Sequence, residues 1–137
     1  MNKNYSALTL DELPKRLSSI TAITDQLGTD FSKWQVTEVG DGNLNLVFIV
    51  KGNKGNIVIK QALPYVRIVG DSWPLSLDRA YFEYNALIRQ EQRDRGVAPT
   101  VFHFDKKQGL IAMECLNDHK ILRGMLIDGT RVQRLAK

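Results

Sequence analysis

LNLVFIVKGNKGNIVIKQAL, residues 44–63, decides the fold class of this chain. Two runs rich in β-branched and other apolar residues, 44–51 and 57–63, flank a turn of Lys, Gly and Asn. Runs of this length and composition read as strands, and the short Gly/Asn connection makes them an antiparallel hairpin. Upstream, Trp34, Val36 and Val39 open a third strand-like stretch. Downstream, residues 100–104 and 110–116 are two more, joined by the turn Asp105-Lys106-Lys107-Gln108-Gly109. Residues 64–74 read as a loop that carries Tyr65, Arg67, Asp71, Ser72 and Trp73.

A helix follows that loop, capped by Ser76 and running to about Arg95. Asp78 suits its positive end, Arg93 and Arg95 its negative end, and Gly96 the stop. Before the strands, Thr9 and Glu12 form a capping box. Leu10, Leu13, Leu17, Ile20 and Leu27 then recur at helical spacing up to Gly28, with Pro14 in the first turns. A last amphipathic stretch, residues 121–135, reads as helix interrupted by Gly124 and Gly129. Hairpin-linked strands on either side of one central helix predict an α+β fold: an antiparallel five-stranded sheet with that helix packed on it, plus an N-terminal and a C-terminal helix.

The chain has 137 residues, 43% of them hydrophobic, enough for one domain with a core. Its net charge of +4 comes from scattered cations, with no Arg-rich tract, so no nucleic-acid partner is expected. Cys115 stands alone, which excludes an internal disulfide and Cys-cluster zinc sites. His103 and His119 are too few and too poorly spaced for a metal motif, so no metal site is expected. The first ten residues lack a signal-peptide core, and no run approaches the roughly 20 apolar residues that span a bilayer. The expectation is a soluble cytoplasmic protein with no membrane partner.

Chemistry concentrates in four places. Gly40-Asp41-Gly42-Asn43-Leu44-Asn45-Leu46-Val47, between the first two strands, compares with the kinase loop G-x-G-x-x-G-x-V, with Asn45 at the third glycine position. Such a turn lets backbone N–H groups approach phosphate oxygens; it also serves as a plain hairpin turn. It is neither a Walker loop nor a dinucleotide fingerprint, since no G-K-[ST] follows and a strand comes next. Lys60, inside an apolar strand, is either an edge lysine pointing to water or a paired one; its position one strand after the glycine turn matches the phosphate-gripping lysine of kinases. Glu83 shares the stripe of Ala80, Tyr84 and Leu87 on the central helix and is the obvious partner of Lys60. Met113-Glu114-Cys115-Leu116 ends the last strand; it is either a core strand or a hinge that meets a planar base. His103-Phe104-Asp105 resembles the H-x-D of a kinase catalytic loop, but Leu110 stands where that loop needs Asn, and the triplet is read as structural.

Taken in order, residues 40–48, 60–67, Ser72-Trp73-Pro74-Leu75 and Asp78-Arg79-Ala80-Tyr81-Phe82-Glu83 resemble the 5-methylthioribose kinase family. The likeness covers essentially the whole chain, and the stretch 61–83 sets it apart from protein, aminoglycoside and choline kinases. The resemblance implies a protein-kinase-like N-lobe over 1–116, followed over 117–137 by the hinge exit and the first helix of a truncated C-lobe. It implies ATP-dependent phosphorylation of the 1-hydroxyl of 5-methylthioribose in methionine salvage. ATP contacts are implied at Gly40, Gly42, Asn43, Lys60 and the hinge Glu114-Cys115-Leu116, with Glu83 supporting the lysine. Trp73 is implied to sit on a mobile loop over the substrate. The family's catalytic aspartate and metal-binding acids have no counterpart in these residues, so Mg2+ would be held by the C-lobe and the fragment alone is expected to be inactive. A homodimer is implied for the full-length protein. Other readings are an aminoglycoside- or choline-type kinase and a non-catalytic nucleotide-binding module.

Overall fold

Alternation along the hairpin sorts its side chains onto two faces. Strand β2 (Asn45–Lys51) buries Leu46, Phe48 and Val50, and strand β3 (Asn56–Ala62) buries Ile57, Ile59 and Gln61. These residues face one another in register, Leu46 with Gln61, Phe48 with Ile59 and Val50 with Ile57. The computed structural model describes residues 5–40 and 42–132. In it the hairpin is the centre of a five-stranded antiparallel sheet. The order is β1 (Gln35–Glu38), β2, β3, β7 (Leu110–Glu114), β6 (Val101–Asp105).

The main core lies on the side of the sheet that the N-terminal region covers. Helices α1 (Leu13–Leu17) and α2 (Thr21–Leu27) place Leu13, Leu17, Ile23 and Leu27 against Phe48, Val50, Ile57, Ile59 and Ala112. Each fully buried apolar side chain of this size contributes about 1.5–3 kcal/mol of transfer free energy. The expected single N-terminal helix is in fact two. It breaks at Ser18–Ser19, where the Ser18 hydroxyl bonds the carbonyl of Lys15 and Ile20 turns extended. Serine competes for backbone bonds in this way, and burial of both apolar stripes makes a bend more favourable than one straight rod.

A buried amide holds the chain's start on this core. Gln61 is fully buried; its Oε1 accepts the amide of Leu8 at 2.7 Å, and its Nε2 donates to the carbonyls of Ser6 and Gln108 at 3.0 and 3.2 Å. Arg16 adds bonds to the Ser6 and Ala7 carbonyls and to Gln108 Oε1, and the Tyr5 hydroxyl bonds the Ala62 carbonyl at 3.0 Å.

The central helix α3 (Asp78–Arg93) packs on the other face, touching β3, β6 and β7. It buries only Ala80 fully, and Tyr84 stacks on Phe104 of β6 with ring centres 4.5 Å apart. The N-cap is Leu77 rather than the expected Ser76, although Ser76 Oγ, one residue further out, accepts the Asp78 amide at 3.1 Å; the helix ends two residues earlier than predicted. Residues 64–74 are not a loop but a small ribbon of β4 (Tyr65–Val66) and β5 (Gly70–Pro74). Gly70, at φ 70°, makes the reversal between the β-branched residues and the second strand. The last helix is α4 (Leu122–Ile127), stopped by Gly129 at φ 69°; residues 133–135 of the predicted helix lie outside those described.

Candidate functional site

The sheet face opposite the main core carries the residues singled out above. Lys60 faces Val47 and Ile111 across the ladder, so it points to the α3 side, one residue out of phase with Gln61. Its Nζ lies 2.6 Å from Glu83 Oε1. The two side chains are 24% and 33% exposed, which leaves the ammonium half-sheltered yet reachable from solvent. An ion pair in this setting is screened less than one in open water, and its geometry fixes the lysine's direction.

The glycine-type turn runs from Gly40 to Asn43 at the mouth of the β1–β2 hairpin. Asp41 lies outside the described residues. Gly42 is required there by close approach, since a Cβ on it would meet the Asn45 carbonyl oxygen at 2.6 Å. The Asn43 carbonyl accepts the Arg67 amide at 2.8 Å, and the Arg67 guanidinium pairs with Glu38 at 2.9 Å. The bend between β4 and β5 is thereby bonded to both sides of the glycine-type turn. Trp73 stands on β5, 59% exposed.

The segment Glu114-Cys115-Leu116 leaves the end of β7. The Glu114 amide and carboxylate bond the carbonyl and amide of Thr100, at 2.8 and 3.0 Å. The carbonyls of Cys115 and Leu116 accept the amides of Asn117 and His119, and paired amides of Asn56 and Asn117 tie this exit to β3. His103-Phe104-Asp105 runs along β6, and Asp105 Oδ1 accepts the amides of Lys107 and Gln108 in the following turn, a structural use. Among the described residues, no group of three His, Cys, Asp or Glu side chains is placed to hold a metal, and no helix is long and apolar enough to cross a membrane.

Sequence reasoning gave no role to Arg79. Its Nη1 donates to Asn45 Oδ1 at 2.6 Å, and its Nη2 bonds the carbonyls of Leu44 and Leu63, the latter at 2.8 Å. Burial pulls its pKa below the usual arginine value, against the favourable charge of Glu83. The signal was its place four residues before Glu83, on the same face of one helix.

No protein-family model matches this chain. It is similar to curated proteins over most of its length. A methylthioribose kinase of Escherichia coli O45:K1 (strain S88 / ExPEC) is 48% identical over 135 residues, 97% of this chain and 32% of that protein. Methylthioribose kinase 2 of Oryza sativa subsp. japonica is 44% identical over 93% of the chain and 31% of its own length. A methylthioribose kinase of Bacillus velezensis (strain DSM 23117 / BGSC 10A6 / LMG 26770 / FZB42) is 43% identical over 87% of the chain and 31% of its own length. Along nearly all of its own length and about a third of theirs, the chain is a relative of the methylthioribose kinases.

Proposed function

We propose that this chain is the nucleotide-binding part of an ATP-dependent kinase that phosphorylates the 1-hydroxyl of 5-methylthioribose in methionine salvage. The observation that carries the reading is the Lys60–Glu83 pair at 2.6 Å, on a sheet face beside a glycine-type turn. In kinases a lysine so aimed meets the α and β phosphates. The residues suit a nucleotide: the ammonium is reachable, and the turn at Gly42 has no room for a side chain. In this reading Gly40, Gly42 and Asn43 line the phosphates, residues 114–116 meet the base, and the ribbon with Trp73 closes over the sugar.

ATP supplies the phosphoryl group; this segment holds, orients and partly desolvates it. General-base and Mg2+-binding groups are assigned to parts of the protein beyond this segment, which spans about a third of its relatives. Phosphoryl transfer rests on positioning and charge stabilisation by both sides of a cleft, so these 137 residues alone should transfer no phosphate. We place the full-length protein in the cytoplasm, as a homodimer.

The test is transfer of label from ATP by the full-length protein to methylthioribose, choline and an aminoglycoside in parallel. Transfer to methylthioribose alone is expected. Preference for choline or the aminoglycoside selects that kinase type instead, and nucleotide binding without transfer to any acceptor selects a non-catalytic module.

A further inference from the structure

We propose that Arg79 is a positioning residue for the nucleotide, locking the exit of the glycine-type turn to the helix that holds Lys60. The inference rests on the kinase reading above. Arg79 and Glu83 stand one helical turn apart on α3, a rise of about 6 Å. Glu83 takes the ammonium of Lys60. Arg79 takes Leu44 and Asn45, where the turn enters β2, and Leu63, where the chain leaves β3. The Leu63 amide also donates to the Leu44 carbonyl at 3.0 Å, so both strand ends meet on one guanidinium. Any slide or rotation of α3 therefore moves the lysine and the turn together.

The chemistry of this contact favours arginine specifically. A planar fork reaches three acceptors in fixed directions, and a lysine ammonium cannot reproduce that geometry. The side chain is held at some cost: among the described residues its buried Nε has no hydrogen-bond partner. A helix N-terminus anchored only for stability needs no side chain that crosses to a neighbouring turn. Asn45 occupies the third-glycine position of the kinase loop pattern, and its side-chain oxygen serves as an acceptor for Arg79 instead.

The experiment measures ADP binding by calorimetry in the full-length protein, together with thermal unfolding and KM for methylthioribose. Its variants are Arg79→Lys, Asn45→Ala and the double substitution. Arg79→Lys should weaken ADP about tenfold, the equivalent of one charge-assisted hydrogen bond, with KM for methylthioribose unchanged. Asn45→Ala should weaken ADP by about threefold, and the double variant should fall short of the product because both act through one bond. An Arg79→Lys protein that melts earlier but binds ADP as the parent does reduces Arg79 to a structural staple and overturns the proposal. If Arg79→Lys fails to fold, Asn45→Ala decides, and unchanged ADP affinity there overturns it equally. Absence of ADP binding by the parent protein sinks the nucleotide reading and this inference together. ADP binding without transfer to methylthioribose sinks the acceptor assignment alone.

Discussion

Replacing Gln61 by Met separates the polar clasp of the N-terminal segment from the apolar core around it. The side chains have similar length, so packing is largely kept. What is lost is specific: the acceptor of the Leu8 amide and the donor to the Ser6 and Gln108 carbonyls. The Ser6 carbonyl keeps a bond from Arg16, but the Leu8 amide loses its 2.7 Å acceptor in the core. A buried donor left unmade costs about 1–3 kcal/mol, and the weakened carbonyl adds to it. Burial of the methionine thioether chain offsets part, leaving a net loss of about 2 kcal/mol. That energy should appear locally, as opening of residues 5–8, before it appears in global unfolding. Hydrogen exchange followed by mass spectrometry reads it directly: the Leu8 amide should exchange about 30-fold faster, while the β2–β3 ladder keeps its protection. Equal exchange at Leu8 in the parent and the variant refutes the reasoning, because it means the amide has another acceptor in solution.

Three other outcomes follow from the geometry. Lys60→Ala in the full-length protein should lower kcat at least about 100-fold, the scale of one lost charge-stabilising donor, with a melting shift of only a few degrees; near-parental turnover removes the site assignment. Gly52→Ala places a Cβ 2.0 Å from the Leu27 carbonyl oxygen, a backbone atom that cannot swing aside. It should cost at least about 2 kcal/mol in urea unfolding, and an unmoved midpoint contradicts the close approach of α2 to the hairpin turn. Tyr5 titrates at about 12, raised by burial first and by Tyr65 second, against the lowering effect of Arg16 and Arg79. Its folded value lies above the ordinary 10, so its stabilisation is complete below that pH and fades as pH rises from 10 to about 12. Tyr5→Phe should flatten urea stability across that window, and an unchanged pH profile counts against the burial of the Tyr5 hydroxyl.

The strands were legible because apolar runs with β-branched residues leave few other solutions. What alternation does not say is which face receives the larger cover. Ile57, Ile59 and Gln61 share one face with the N-terminal helices, and α3, the longest helix, fully buries only Ala80 on the other. The break at Ser18–Ser19 was hidden because the apolar stripe continues past it in a new direction. The ribbon was hidden because Pro64, Gly70 and Pro74 read as breakers, although Pro74 pairs with Tyr65 and Gly70 with Val66. Lys60 and Glu83 stood out as charges in apolar surroundings. Arg79 did not, because an arginine in the first turn of a helix ordinarily extends into water, and only the tertiary fold brings Leu44, Asn45 and Leu63 to it.

Lys60 and Gln61 are chain neighbours that the pleat sends to opposite destinations. A slip of β3 by one residue would exchange them, driving an ammonium among Phe48, Ile23 and Leu13 and turning a neutral amide toward Glu83. One-residue insertions or deletions in the connection at 52–55 are therefore chemical lesions as well as folding lesions. Gly52, seated against the carbonyl of Leu27, anchors that connection to α2 and makes the count of residues in it hard to change.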